Sequence, residues 1–124
     1  MSQTYHCVAT KLRLRGVRQL PAFLRASAAA ARAAKATPGN ARTRLLGMPP
    51  LLTFRTCSVW ESREAMQAFA RSPEHRYAAD NMENWARRGQ FVHFTTETPK
   101  VSWRAAMRAL RTPSQVWTPP QPVR

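Results

Sequence analysis

Ser58-Val59-Trp60-Glu61-Ser62-Arg63-Glu64-Ala65-Met66-Gln67-Ala68-Phe69-Ala70-Arg71-Ser72-Pro73-Glu74-His75 runs the end of a strand into two capped helical segments. Ser62 can accept a hydrogen bond from the first free backbone amides of a helix, and Glu64 suits the positive end of its dipole. Ala65, Met66, Phe69 and Ala70 then recur at helical spacing. Ser72-Pro73-Glu74 repeats the start signal with a new cap, a first-turn proline and an acid, so the helical region bends at Ser72.

Upstream, Leu51 to Trp60 is rich in β-branched and aromatic residues and reads as a strand, with Phe54 and Trp60 on one parity and Arg55 and Cys57 on the other. Gly47-Met48-Pro49-Pro50 is a turn, and Ala41 to Leu46 a strand before it. The Ala-rich run from about Gln19 to Ala36 is a helix, opened by Pro21 and stopped by Thr37-Pro38-Gly39-Asn40. Tyr5 to Arg15 is the first strand, with apolar and basic residues alternating from Thr10 onward. Downstream, the second helical segment is expected to run to about Arg88 and end at Gly89. Gln90 to Glu97 is the last strand, with Phe91, His93 and Thr95 on one face and Val92, Phe94 and Thr96 on the other.

The order strand–helix–strand–strand–helix–strand is that of an α+β, ferredoxin-like βαββαβ unit, a four-stranded antiparallel sheet with both helices on one face. Apolar residues on both parities of the strands mean that the other face is not wet. A second copy packed sheet against sheet, a homodimer, is the economical cover. This domain occupies residues 1–99. Residues 100–124 form a basic tail, with a short amphipathic helix over Val101 to Leu110 and then a Pro-rich segment from Thr112 to Pro122 that can be neither helix nor central strand. Trp117 within it is expected to dock on the same subunit or across a dimer.

The chain has 124 residues, 20 Lys plus Arg against 6 Asp plus Glu, and a net charge of +14. Residues 1–60 hold ten of the bases and no acid, and residues 98–124 hold five bases and no acid. Such an imbalance suits an anionic partner, but Arg-favouring GC-rich coding produces it without one, and no long basic run is present. No apolar run reaches the roughly 18 residues that cross a bilayer. The N-terminus has no secretory pattern, so the expected location is cytoplasmic. Cys7 and Cys57 make neither a disulfide framework nor a zinc site, and no metal site is expected. Phosphate loops, dinucleotide-binding glycines, a nucleophile elbow and metalloprotease motifs are all missing. Glu74, Asp80 and Glu83 lie within helical reach of arginines and read as a solvated face.

Three histidines remain: His6, His75 and His93. His75, Ala78, Met82 and Trp85 share one helical face, which places an imidazole among apolar groups, where it would serve as base, donor or heme ligand. A helix-start histidine satisfied locally is the plainer reading. His93 shares its parity with Phe91 and is the second candidate. Phe54, Trp60, Phe69, Met82, Trp85 and Phe91 are the candidate walls of a pocket between sheet and helices, although for any single aromatic among them a place in the core of a small domain is the plainer reading.

The segment 58–75 resembles the antibiotic-biosynthesis-monooxygenase type of dimeric α/β barrel, in which a strand ends in W-x-S, an E-A-M/L-x-x-F helix follows, and then S-x-x-H. Trp85 and Phe91-Val92-His93-Phe94 are similar to the spheroidene monooxygenase-like branch. The resemblance implies a homodimer with a cavity in each subunit, and activities that range from cofactor-independent oxygenation of quinol-like aromatics to heme-dependent reactions. Heme-degrading relatives use a first-strand Asn, a helix Trp and a late helix His. The last two positions fall here on Phe69 and Ala79, which disfavours that route. Arg88-Gly89-Gln90-Phe91-Val92-His93-Phe94 superficially echoes an RNA-recognition signature, one residue short and on the wrong strand, so nucleic acid is the lesser reading. The resulting expectation is a monooxygenase-like oxidoreductase acting on a hydrophobic aromatic or polyene molecule. His75 and His93 are its chemical groups, no cofactor is required, and heme or a non-catalytic binding module is the alternative.

Overall fold

Ser62 and Ser72 each do what their sequence positions imply. In the computed structural model, which describes residues 3–48, 50 and 52–118, the Ser62 hydroxyl accepts from the Ala65 amide at 3.1 Å and Ser72 from the His75 amide at 3.3 Å. Between and around these caps run β1 (Tyr5–Leu14), a 3-10 turn (Val17–Gln19), α1 (Leu20–Ala36), β2 (Asn40–Met48) and β3 (Thr53–Trp60). Then follow α2 (Arg63–Ala70), α3 (Pro73–Asp80), the single turn α4 (Met82–Trp85), β4 (Ala86–Thr96), α5 (Trp103–Ala109) and β5 (Gln115–Trp117).

The strands form one antiparallel sheet in the order β2-β3-β1-β4-β5. The βαββαβ arrangement is present, with five strands rather than four. The fifth is a three-residue edge strand in the Pro-rich tail, where Gly89, Gln90 and Phe91 pair with Trp117, Val116 and Gln115. An edge strand needs only half of its backbone groups paired, which the tail's flanking prolines permit. Trp117 therefore docks on its own subunit. Residues 119–124 lie outside the described residues.

The second helical segment is shorter than expected. It stops at Asp80, turns once more over Met82–Trp85, and β4 begins at Ala86 rather than Gln90. The backbone at Asn81 leaves helical geometry, and its side chain bonds back to the Tyr77 carbonyl at 2.9 Å. Gly89 is thus a strand residue. A Cβ there would stand 3.0 Å from both Leu12 and Phe91.

Two hydrophobic clusters sandwich the sheet. On the side of α1 to α4, Leu14, Phe23, Ala26, Phe54 and Trp85 are buried together. On the other side, Cys7, Ala9, Cys57, Val59 and Val92 pack with Val101, Ala106 and Leu110 of the tail. The dry face that the sequence assigns to a second copy is therefore covered in part by the chain's own α5. The helix is fixed at its start by Ser102, which accepts from the Ala105 amide at 3.1 Å. Arg44 of β2 bonds the Val101 carbonyl at 3.0 Å and lies 4.7 Å over the Trp103 ring, which ties α5 to the sheet edge. The tail is in this way an integral part of the core. Among the described residues no helix is long and apolar enough to cross a membrane.

Candidate functional site

Antiparallel register sends alternate residues of neighbouring strands to the same face. Thr10 pairs with Thr56 and with Phe91, Val8 with Ser58 and His93, and Thr43 and Leu45 of β2 with Ser58 and Thr56. This face looks at α1 to α4, and between the two lies a cavity of about 240 Å³. Its floor is Val8, Thr10, Leu12, Thr56, Ser58 and Phe91, with Thr43 and Leu45 at one edge. Small α1 residues, Ser27, Ala30 and Ala31, leave the space open where larger side chains would fill it. Phe69 of α2, His75 and Ala78 of α3, and Met82 and Trp85 of α4 close the opposite side.

Among the described residues His75 is the one ionisable residue in this lining. The Ser72 cap and Pro73 start α3 three residues before it, and so fix which way the imidazole points. Burial holds it below the usual histidine value, opposed in part by a hydrogen bond to the Ala70 backbone. The ring is therefore neutral at pH 7, the form that accepts a proton. Phe69 meets it edge-on at 5.0 Å, and Trp60 stacks on Phe69 at 5.4 Å.

Five of the expected residues, His75, Phe69, Met82, Trp85 and Phe91, come together on the cavity. Three do not. Trp60 is fully buried behind Phe69, with its indole Nε1 unbonded among the described residues, and it supports the wall without belonging to it. Phe54 packs against Phe23 at 4.8 Å in the core cluster below the cavity. His93 is exposed and pairs with His6, Nδ1 to Nε2 3.0 Å apart, beyond the lining. Burial first, then His93 and Arg63, hold the His6 ring below its usual value. Strand parity alone could not separate these cases, because it gives the face and not the position along the strand.

The sequence reading also missed the hydroxyls. Thr10 and Thr56 are bonded to each other through their side chains on the cavity floor, with Ser58, Thr43 and Ser27 around them. Their signal was the parity they share with Val8 and Leu12, which polar character concealed. The result is an apolar chamber with a hydroxyl floor and one neutral imidazole in its wall. Such a chamber can take up a flat hydrophobic molecule, hydrogen-bond its oxygens and accept one proton from it. Heme fits the lining poorly. Among the described residues no Lys or Arg lines it to pair with propionates.

Residues 8–81 match the family model described as antibiotic biosynthesis monooxygenase. No curated protein matches the chain. Among solved structures, an antibiotic biosynthesis monooxygenase-like protein from Nitrosomonas europaea is similar at TM-score 0.68 and 16% identity, covering 82% of this chain and 97% of its own. SnoaB, a cofactor-independent oxygenase from Streptomyces nogalater, is similar at TM-score 0.61 and 16% identity, over 82% and 100% of the two chains. A conserved Bacteroides thetaiotaomicron protein, a possible oxidoreductase, is similar at 0.66 and 10%, over 77% and 100%. At these identities the likeness is one of fold, while the family model spans more than half of the sequence: the chain belongs to the antibiotic biosynthesis monooxygenase family.

Proposed function

We propose that this chain is a cofactor-independent monooxygenase for a compact hydrophobic aromatic molecule of the quinol or phenol type. The observation that carries the reading is the placement of His75, the one ionisable group lining an otherwise apolar and hydroxyl-bearing chamber. Neutral His75 takes a proton from the bound substrate. The resulting anion is held out of water against Phe69, Trp85 and Phe91, where its electrons are available to oxygen. The atoms balance with no further reductant: the ring carbon para to the phenolic oxygen, a CH2 in the keto tautomer, becomes a carbonyl, one atom of O2 enters the product there, and the other leaves as water with the two hydrogens. The chamber's volume favours a compact ring system over an enclosed long polyene. The fold shared with SnoaB, itself a cofactor-independent oxygenase, supports the same reading.

The test is oxygen consumption by the metal-free protein with a panel of anthrones and of phenols unsubstituted at the para carbon. Wild type should consume oxygen in proportion to carbonyl product, and His75→Ala should lose about 10² to 10⁴ of the rate, the usual worth of a positioned base. Equal rates in the two proteins would overturn the role of His75. A Soret shift on adding hemin that disappears in His75→Ala would replace this reading with the heme-dependent one.

A further inference from the structure

His6 of β1 and His93 of β4 take no part in the cavity, yet the register of the sheet brings them together. His6 stands across from Thr95 and His93 across from Val8, so the two imidazoles are diagonal neighbours on one face. It is the face of Val8 and Phe91 on the cavity floor, each two residues, about 7 Å, along its strand from one of the histidines. A second copy packed on the opposite face of the sheet, that of Cys7 and Ala9, leaves the pair open. His93 is exposed and His6 half-buried, so solvent reaches both.

The two rings face each other through nitrogen. His6 Nε2 and His93 Nδ1 are 3.0 Å apart, and the ring centres 5.2 Å. Two imidazoles on neighbouring corners of a tetrahedral zinc ion, at Zn–N distances of about 2.0–2.1 Å, have nitrogens about 3.3 Å and ring centres about 5.2 Å apart. A tilt of each ring about its own centre therefore turns both lone pairs onto one ion, with the strands unmoved. Burial first, then His93 and Arg63, hold the His6 ring below its usual value, so at pH 7 it offers a lone pair. Arg63, exposed at the start of α2, is also a like charge for an incoming cation and limits the affinity. Among the described residues no third His, Cys, Asp or Glu joins the pair. The remaining positions then belong to water, as in an open site. Imidazole selects zinc, copper and nickel over magnesium and calcium, which prefer oxygen.

We infer that His6 and His93 form a two-histidine site for a divalent transition-metal ion of the zinc, nickel and copper group, bound through His6 Nε2 and His93 Nδ1. The ion ties β1 to β4 beside the cavity. The site does not rest on the role of His75, whose proton transfer needs no metal.

The experiment is titration of the full chain with zinc chloride, read by calorimetry and by the imidazole nitrogen resonances of isotope-labelled protein. Zinc should move the resonances of His6 Nε2 and His93 Nδ1 in step and leave those of His75 in place. Zinc on a lone surface histidine has no reason to take the Nδ1 of one ring together with the Nε2 of another. Calorimetry should give a single zinc ion per chain, and copper(II) should bind more tightly than zinc, as the general order of divalent affinities requires. His6→Gln and His93→Gln should each weaken zinc binding at least about tenfold, the cost of losing even a partner behind a ligand. Arg63→Glu keeps both rings, exchanges a like charge for an opposite one, and should tighten binding severalfold. Should a Gln variant fail to fold, the wild-type resonances and the Arg63→Glu affinity carry the test. Zinc held equally well by either Gln variant, zinc that moves one ring only, or zinc that leaves both rings in place and goes to the cysteine thiols would each overturn the inference. So would an affinity that Arg63→Glu leaves unchanged or weakens.

Discussion

The edge of the Phe69 ring meets the imidazole of His75 at a centroid distance of 5.0 Å and an interplanar angle of 73°. Phe69 is the sixth and last residue of the E-A-M-x-x-F motif and His75 the fourth of S-x-x-H, so two helices with separate caps converge on one contact. The contact holds the imidazole against the cavity wall. Phe69→Leu keeps the volume but removes the ring edge. It should cost about 1 kcal/mol in urea denaturation, the worth of an aromatic pair beyond its area. It should also lower the oxygenation rate more than it weakens substrate binding, because the imidazole loses orientation. Unchanged kcat with a raised KM would show that Phe69 only binds.

Protonation of His75 gives a pH dependence with a definite sign. Its folded-state value lies below 6.5, so between that value and 6.5 the unfolded chain binds more protons than the folded one. Stability should therefore be level above about pH 6.5 and fall as the pH drops below it. His6 is shifted in the same direction and contributes to the same slope. Melting temperatures across pH 5 to 8 should show the fall in wild type, a shallower fall in His75→Gln and in His6→Gln, and the shallowest in the double variant. Oxygen consumption should decline over the same acidic range in the His6→Gln protein, since the base it needs is untouched.

The parts of the fold written in local signals were legible. Caps at Ser62 and Ser72, the stop at Pro38-Gly39 and the alternation in β1 lie in contiguous residues, and they placed the six main elements in order. The stretch from Asn81 to Gly89 was misread because Met82 and Trp85 continue the helical spacing of His75 and Ala78. Trp85 reaches the core from its own single turn, packing edge-on to Phe23 at 6.2 Å, so spacing and burial agreed without a continuous helix. The α5 cover and the β5 edge strand were not legible as partners of the sheet, since each depends on contacts with β1 or β4 that no local pattern specifies. At the site, the imidazole and the aromatic wall stood out by residue type, whereas Thr10, Thr56 and Ser58 became visible only with register.

The α5 cover can be tested through the sulfurs beneath it. Cys7 and Cys57 are buried with their Sγ atoms 3.5 Å apart, in the cluster that Leu110 and Ala106 close. The hydrogen bond between the two sulfurs holds the Cys57 thiol below its usual value, aided by Arg44 and Arg42 and opposed by burial. Leu110→Ala should cost about 2 to 4 kcal/mol and speed reaction of both thiols with an aromatic disulfide reagent under native conditions. Arg108→Ala, on the outer side of the same helix, should change neither.

Gly39 carries the turn from α1 into β2 with φ +92°, a region that side chains rarely adopt. A Cβ at this position would lie 2.5 Å from the Cβ of Ala65, well inside contact distance, and Ala65 is the residue whose amide the Ser62 cap holds. Gly39→Ala therefore combines backbone strain of about 1 to 2 kcal/mol with a clash that must displace the first turn of α2. We expect a loss of at least about 2 kcal/mol in urea denaturation. Ala65→Gly alone should be milder, about 1 kcal/mol, from helix propensity. In the double variant Gly39→Ala/Ala65→Gly the clash is relieved and only the strain and propensity losses remain, so the double variant should be more stable than the sum of the single losses. Strict additivity would mean that the clash with Ala65 contributes nothing and that the φ value alone makes glycine necessary.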